Sequence, residues 1–271
     1  MIWPFIVQRT EGEFVPMSAF NALTAAAVAA CGGPDRLIQD PNACYAVFDA
    51  TKVVNGTWTA RQAKIWQMIA VGPVDTHGNK LWSGILPGTS YGTIAGSQPF
   101  ALAAAWVKNW ILKQPNFDWK TLTYASFVDV FNLGRAGDVD FVNSDNPDLS
   151  AFQKAGGKLV SWHGWADPLI GGNGTYDYRV QVDAKMGGSA KVDEFYRMWM
   201  APGVGHCGGG GPTPTDPFGA LVKWVEKGEA PEVLPASGGG HQRDLCRHPL
   251  VNKYKGEGAV TAASSWSCVK A

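Results

Sequence analysis

The sequence predicts an α/β fold for its C-terminal part, preceded by a mostly helical and loop-rich part. Two observations carry this prediction. Alanine-rich helical runs such as FNALTAAAVAAC and PFALAAAWVKNWILK dominate the first part, whereas strand-like and helix-like segments alternate after about residue 148. Such alternation is typical of a parallel sheet with right-handed helical crossovers. We therefore predict two domains, residues 1–145 and residues 146–271.

The predicted elements of the second part can be placed from their ends. The helical segment DLSAFQKAGG stops at glycine, and the strand-like segment KLVSWHGWADP delivers Asp167 just before the helix-breaking Pro168. A second helix around YDYRVQVDAKMGG leads to EFYRMWMAPG. The nearly continuous apolarity of that last segment is typical of a strand covered on both faces.

The last predicted helix, in DPFGALVKWVEKG, has clear signals at both ends. Asp216 suits the N-cap, Pro217 suits the first helical position, and Gly228 follows the last turn. Apolar residues at i, i+3, i+4 and i+7 predict a stripe that packs on the sheet. The stripe consists of Phe218, Leu221, Val222 and Val225.

Composition excludes several classes of partner. The 23 basic and 23 acidic residues balance, so we expect no nucleic-acid or anionic-membrane binding. No apolar stretch approaches the ~18–20 residues that span a bilayer, and the opening MIWPFIVQR is too short for a signal-peptide core. Two glycosylation triplets, beginning at Asn55 and Asn173, are compatible with a secreted surface.

The 12 tryptophans are unusually many for this length, and half of them lie between residues 50 and 120. We expect most of these side chains to form an aromatic core, because burial is where most aromatic area goes. The alternative is a region that also lines a pocket for flat or sugar-like ligands. The six residues are Trp58, Trp66, Trp82, Trp106, Trp110 and Trp119.

The five cysteines form an odd set. The spacings of Cys31 with Cys44 and of Cys246 with Cys268 both suit disulfides, although spacing alone does not fix connectivity. Cys207 is then left over, directly after His206 in the loop APGVGHCGGGGP.

Asp167 and His206 form the strongest candidate site. Asp167 ends one predicted strand and His206 follows the next, and functional groups gather at the carboxyl ends of parallel strands. An acid that orients a histidine base is two-thirds of a nucleophilic triad. The plain alternatives are a helix cap and a turn histidine. A metal site built from His163, Asp167 and His206 is a competing chemical interpretation.

Several segments resemble the tannase and feruloyl esterase family of α/β-hydrolases. GGKLVSWHGWADPLI is similar to its acid segment, FYRMWMAPGVGHCGGGGP to its histidine segment, and RDLCRHPLVNKYKGEGAVTAASSWSC to its disulfide-closed C terminus. LTAAAVAACGGPDRLIQDPNAC and KLWSGILPGTSYG resemble parts of the lid domain inserted into that fold.

The resemblance implies that residues 1–145 are a lid domain and residues 146–271 the C-terminal portion of an α/β-hydrolase domain. It implies hydrolysis of esters of hydroxycinnamic or gallic acids, with Asp167 as orienting acid and His206 as base. The family bonds the cysteine after the histidine to a cysteine before the nucleophilic serine, so Cys207 would be one end of that disulfide. It also implies a secreted protein.

The nucleophilic serine has no counterpart in this sequence. The family's elbow places a cysteine before the serine, but the chain contains no Cys-Ser dipeptide. GTSYG satisfies G-x-S-x-G with Ser90 at its centre, yet Pro87 before it and Gly96 and Pro99 after it disfavour the required strand and helix. We therefore expect an N-terminally truncated esterase that is inactive alone. The alternative is a complete, non-catalytic protein that binds phenolic or sugar-linked ligands.

A cofactor is not required for this chemistry, and the expected partner is a small aromatic-acid ester. The resemblance does imply calcium in the loop between the first two cysteines. Here that loop, GGPDRLIQDPNA, offers only Asp35 and Asp40 as carboxylates. Because Ca²⁺ takes six to eight oxygens, these two residues predict a weak site at most.

Overall fold

A computed structural model of the chain describes residues 1–53, 56–136 and 143–270. Asn55, the first predicted glycosylation acceptor, lies outside these residues. Within them, no helix has the length and apolarity needed to cross a membrane. Asn173, the second predicted acceptor, is only 4% exposed, which corrects the expectation of a surface site there.

The described chain divides into two compact units. Unit 1 comprises Met1–Ala26, Asp49–Ile85 and Ser90–Ser144, and unit 2 comprises Ala27–Phe48, Leu86–Thr89 and Asp145–Ala271. The last change of unit thus falls next to the predicted border at residues 145 and 146. Two earlier segments that the sequence analysis placed with residues 1–145 group with unit 2. Their assignment to a lid stays a prediction.

Unit 1 is built from helices around an apolar core. Ile2, Phe5, Ile6 and Leu122 are buried together in that core. A π-helical turn, Val107–Ile111, continues the fifth helix, and short 3-10 turns cover Ala50–Lys52 and Trp119–Thr121. The helices that lie in or begin in unit 1 are α1 (Trp3–Thr10), α2 (Met17–Cys31), α4 (Ala60–Val71), α5 (Ala101–Trp106) and α6 (Tyr124–Ala136).

Unit 2 mixes helices and strands. Its helices are α3 (Pro41–Val47), α7 (Ser150–Lys154), α8 (Gly172–Met186), α9 (Ser189–Val192) and α10 (Pro217–Lys227). Its strands are β1 (Leu159–Gly164), β2 (Tyr196–Ala201), β3 (Thr213–Pro214), β4 (Val233–Gly238), β5 (His241–Cys246), β6 (Leu250–Tyr254) and β7 (Trp266–Lys270). A 3-10 turn, Ala263–Ser265, precedes the last strand. Strands β3 to β7 were not predicted from the sequence.

The pair β1 and β2 is the parallel unit that the alternating pattern predicts. Leu159 pairs with Tyr196 and Gly164 with Ala201, so both strands end at the same level. Strand β2 is covered on both faces, as its apolarity predicts. Met198 packs with Val182 of α8, whereas Trp199 on the opposite face joins a core that includes β4 and β5 residues. Strands β3, β4 and β5 pair antiparallel, as do β6 and β7.

Helix α10 has the predicted ends but not the predicted buried face. An Asp216 carboxylate oxygen accepts a hydrogen bond from the Gly219 N–H at 2.8 Å, and Gly228 adopts the left-handed conformation. Trp224, not the predicted stripe, turns inward and is 4% exposed. Phe218 and Val225 are 74% and 62% exposed. The prediction was wrong because Trp224 buries more apolar area than any alternative on this helix.

The tryptophans between residues 50 and 120 do not all enter a core. Trp58 and Trp66 are buried, and Trp119 is half-buried. Trp82, Trp106 and Trp110 are exposed. The rings of Trp106 and Trp110 stack with their centroids 5.5 Å apart. The expectation of a mostly aromatic core therefore holds for only part of this set.

Both disulfides whose spacing the sequence favours are present. Cys31 is bonded to Cys44 and Cys246 to Cys268. In the described part of the chain, Cys207 forms no disulfide, and its side chain is exposed.

Candidate functional site

The site lies where the segments after β1 and β2 meet in unit 2. The Trp165 N–H donates to the Ala201 carbonyl at 2.9 Å, and the Ala166 N–H donates to the Val204 carbonyl at 3.0 Å. Gly164 permits this close approach, because a Cβ there would overlap the Val204 carbonyl group. The two segments that carry Asp167 and His206 are therefore held against each other by backbone hydrogen bonds.

Asp167 and His206, predicted to meet at the strand ends, are in direct contact. The Nδ1 atom of His206 lies 2.9 Å from Oδ2 of Asp167. Its Nε2 atom has no hydrogen-bond partner among the described residues, and the side chain is 38% exposed. If Nδ1 carries the proton that bonds to the carboxylate, Nε2 is unprotonated and can accept a proton. It lies on the side of the ring away from Asp167.

The Asp167 carboxylate is buried, and both of its oxygens accept hydrogen bonds. Its Oδ1 atom accepts hydrogen bonds from the backbone N–H groups of Leu169 at 2.8 Å and Ile170 at 2.9 Å. Burial raises the pKa of the Asp167 carboxyl, but the hydrogen bonds from His206, Ile170, Leu169 and His163 outweigh it and leave the pKa below its ordinary value. Asp167 is therefore an anion at neutral pH, which suits the orientation of a histidine.

A second histidine shares the same carboxylate oxygen. His163 is the penultimate residue of β1, and its Nε2 atom lies 3.2 Å from Oδ2 of Asp167. Its Nδ1 atom lies 2.6 Å from the Thr175 hydroxyl, in the first turns of α8. From the sequence, His163 is expected at this site only as a metal ligand. Its position four residues before Asp167, across a strand end, is a signal that could have pointed to this contact.

The loop that carries His206 is shaped by tight backbone packing. Val204 is fully buried and anchors the loop, while Cys207 has a φ of 60°. Gly210 has a φ of 83°, and a Cβ there would overlap the Gly203 carbonyl. Only glycine meets both conditions. The glycine-rich composition thus holds His206 and the exposed Cys207 thiol side by side at the surface of unit 2.

The arrangement does not fit the alternative metal site at His163, Asp167 and His206. Both histidines direct a ring nitrogen at one carboxylate oxygen at hydrogen-bond distance, rather than around a common centre. Within the described residues, no group of three or more histidine, cysteine, aspartate or glutamate side chains is placed to hold a metal ion.

The carboxylates considered for calcium are occupied by other contacts. Asp35 Oδ2 accepts from the Arg243 guanidinium at 2.6 Å, and neither side chain of this pair has any exposure. Asp40 caps α3 by accepting from the backbone N–H groups of Asn42 and Ala43. An anion already neutralised by a buried guanidinium is a poor cation ligand. These residues do not fit a calcium site.

Ser90 lies in a loop. No strand precedes it directly, and a turn follows it. Its hydroxyl accepts a hydrogen bond from the Gly92 N–H at 3.3 Å. Because the strained strand-to-helix elbow of a nucleophilic serine is missing around it, this position matches the loop serine favoured by the sequence.

Unit 1 contains an apolar pocket of about 400 Å³, a volume within the range of small-molecule sites. Trp3, Met68 and Val71 line it together with Tyr124 and Val128. Burial, together with the charge of Glu11, raises the pKa of the Tyr124 hydroxyl, which therefore stays protonated.

Comparison with known proteins shows the family of the chain. A family model described as tannase and feruloyl esterase matches residues 5–269. A probable feruloyl esterase of Arthroderma benhamiae is 38% identical over 299 residues, which cover 99% of this chain and 55% of that protein. Feruloyl esterase C of Talaromyces stipitatus is 31% identical over 88% of this chain and 50% of that protein. The chain thus spans about half the length of the curated relatives it matches.

Solved structures agree with this placement. Feruloyl esterase B from Aspergillus oryzae superposes with a TM-score of 0.84 and 26% identity, covering 98% of this chain and 60% of that one. A tannin acyl hydrolase from Aspergillus niger, at 22% identity, superposes with a TM-score of 0.84 and supports the fold alone. The predicted α/β-hydrolase type of fold is confirmed. The chain belongs to the tannase and feruloyl esterase family.

Proposed function

We propose that the protein is a carboxylic ester hydrolase that acts on esters of aromatic acids of the hydroxycinnamic or gallic type. Family membership supports the reaction class, and the names of the relatives support the acid. One observation carries the mechanism: the 2.9 Å contact between His206 Nδ1 and Asp167 Oδ2, which leaves His206 Nε2 free to act as a base.

The proposed mechanism assigns one task to each side chain. His206 Nε2 takes the proton of a serine hydroxyl as its oxygen attacks the ester carbonyl, and Asp167 stabilises the imidazolium that forms. Collapse of the tetrahedral intermediate breaks the bond to the alcohol, which leaves with the proton from His206. Water then attacks the acyl-serine in the same way and releases the carboxylic acid. Two backbone N–H groups, one of them after the serine, would bind the oxyanion.

We propose further that the nucleophilic serine lies outside these 271 residues. Neither a Cys-Ser elbow nor an elbow geometry at Ser90 is found in the sequence and the described structure. The exposed Cys207 thiol next to His206 suits a disulfide to a cysteine that precedes that serine. Such a bond would hold nucleophile and base together, and residues 1–145 would act as the lid.

A covalent probe tests this proposal. The protein in its natural length is treated with a fluorophosphonate, and the modified peptide is identified by mass spectrometry. We expect one adduct, on a serine outside the 271 residues, and no adduct in the His206→Ala variant. An adduct on Ser90 would overturn the location of the nucleophile. If the wild-type protein formed no adduct and cleaved no feruloyl or galloyl ester, the hydrolase proposal would fail.

A binding protein for phenolic ligands is the second candidate, and the apolar pocket of unit 1 favours it. Calorimetric titration with ferulate distinguishes the two, because a binding protein retains affinity without any probe adduct. Val71→Trp should fill the pocket and abolish the binding. Val47→Trp is the matched control, because Val47 is 68% exposed and does not line the pocket.

The setting of the protein follows from its cysteines. Two disulfides are present in the described chain, and disulfides persist in oxidising compartments. We therefore propose that the protein is secreted. We also propose that it needs no cofactor and that its substrate is a small aromatic-acid ester.

A further inference from the structure

His163 makes a contact that the proposed mechanism does not use. Its Nε2 atom and the Nδ1 atom of His206 approach the same oxygen of Asp167, at 3.2 and 2.9 Å. The other ring nitrogen of His163 meets the Thr175 hydroxyl at 2.6 Å. Its side chain is 17% exposed. One carboxylate oxygen of Asp167 is thus shared by two histidines. The second of them, His163, is also held at its other ring nitrogen.

The chemistry of these contacts selects one tautomer of His163. A carboxylate only accepts hydrogen bonds, so Nε2 must carry the proton that faces Asp167. In the neutral ring Nδ1 is then a bare acceptor, and the Thr175 hydroxyl can donate to it. Thr175 projects from the rigid helix α8 and so fixes the orientation of the ring.

We propose that His163, held by Thr175, is a positioning residue that fixes the Asp167 carboxylate and limits the charge it presents to His206. This inference rests on the proposed esterase function. With His163 and the backbone N–H groups of Leu169 and Ile170, three donors fix the carboxylate independently of His206. The carboxylate therefore keeps its place when His206 moves toward or away from substrate.

The shared oxygen also sets how strongly Asp167 stabilises the imidazolium. Each hydrogen bond to Oδ2 draws negative charge away from the His206 side, so the donor from His163 weakens that attraction. Removal of His163 should therefore stabilise protonated His206.

Among the described residues, these two histidines are the ionisable side chains within hydrogen-bond or ion-pair distance of Asp167. The other groups that face it are backbone N–H donors.

Variants at both positions test the inference in the natural-length protein. We expect His163→Phe to lower kcat about 10- to 100-fold, because the carboxylate, still in contact with His206, loses one of the donors that fix its orientation. The acid limb of the kcat/KM profile, which reports protonation of His206, should move upward by about 0.5 to 1 pH unit. His163→Gln keeps an N–H donor near the Nε2 position and should restore most of both properties.

Thr175 provides an independent pair of variants. Thr175→Val removes the hydroxyl but keeps the shape, and should move the acid limb in the same direction by a smaller amount. Thr175→Ser keeps the hydroxyl and should behave like the wild type. Urea unfolding of each variant separates loss of fold from loss of position. A lower kcat with an unmoved acid limb in both His163→Phe and Thr175→Val would show a merely structural role and overturn the inference.

A second measurement does not depend on activity. The protonation of His206 is followed by NMR titration of the ring nitrogens in the wild type and in His163→Phe, with His206→Ala for assignment. We expect the His206 titration midpoint to rise in His163→Phe, and an unchanged midpoint contradicts the inference. A wild-type protein that hydrolyses no ester would overturn the proposed function, while the titration would still decide on His163.

Discussion

At the scale of single residues, Asp167 is the centre of the site. Its two oxygens accept from two backbone N–H groups and two histidines, and these bonds hold its pKa below the ordinary range despite burial. A carboxylate in this state does not donate a proton at neutral pH. Its proposed task is therefore to orient His206 and to balance a positive charge.

Asp167→Asn tests that task. The amide NH₂ group can donate to a bare ring nitrogen, so His206 would tend to adopt the tautomer with its proton on Nε2 and could not act as a base. We expect kcat for a feruloyl ester to fall by roughly 10⁴-fold in the natural-length protein. Asp216→Asn is the control, because Asn caps a helix as well as Asp does, and its activity should match the wild type.

The contact between Asp167 and His206 could be predicted from the sequence, because both residues follow parallel strands, whose carboxyl ends meet at one edge of the sheet. It did not reveal the role of His163. A histidine inside a strand pattern looks like a core residue, and its partner Thr175 appeared only as part of a glycosylation triplet. Their contact depends on where the first turns of α8 pass β1, which the local pattern does not encode.

At the scale of elements, the parallel pair β1 and β2 positions the site and α8 stabilises it. The ends of both strands are level, and Gly164 lets the following loops touch. Helix α8 carries Arg179, a fully buried cation that binds Asp183 at 2.8 Å and Asp193 at 2.6 Å. The alternating pattern predicted these elements, but not the buried ion pair that joins Arg179 of α8 to Asp193, just before β2.

Gly164→Ala should disturb the site without touching a polar side chain. The new methyl group would overlap the Val204 carbonyl, so the loop that carries His206 must shift. We expect a loss of about 1–3 kcal/mol in the free energy of unfolding and a decrease of up to about 10²-fold in kcat/KM. Gly96→Ala is the matched control, since a Cβ at Gly96 meets only one atom, at 4.0 Å. Equal behaviour of the two variants contradicts this account.

Arg179→Met should be strongly destabilising. It leaves the partly buried carboxylates of Asp183 and Asp193 without one of their counterions, and loss of one partner of a buried ion pair costs about 3–5 kcal/mol. Lys185→Met on the same helix removes an ion pair to Asp148 whose side chains are 54% and 42% exposed. That control should change the free energy of unfolding by less than about 0.5 kcal/mol. Urea unfolding at neutral pH compares the two variants.

At the scale of the whole molecule, long-range links decide which segments belong together. Asp35 lies 208 residues before Arg243, yet the two form a buried ion pair inside unit 2. The disulfide between Cys31 and Cys44 closes the loop that carries Asp35. Periodicity and composition report only local structure, so the sequence could not show that residues 27–48 group with the second unit.

The apolar face of α10 predicts how the 271-residue chain behaves in solution. Phe218 and Val225 are largely exposed, and Leu221 and Val222 between them are only half-buried. Within the described residues, β1 pairs only with β2, so one strand edge is also open. Exposed apolar patches and open strand edges both favour association. We expect the chain, expressed by itself, to self-associate as its concentration rises.

Light scattering coupled to size-exclusion chromatography measures this association. The double variant Phe218→Ser with Val225→Ser should elute closer to a monomer, because it removes the two most exposed apolar side chains of the stripe. Val47→Ser, which removes an apolar side chain that is 68% exposed elsewhere, should elute like the unmodified chain. A chain that stays monomeric at high concentration contradicts the prediction. If both variants improved dispersion equally, the association would reflect general surface hydrophobicity rather than the face of α10.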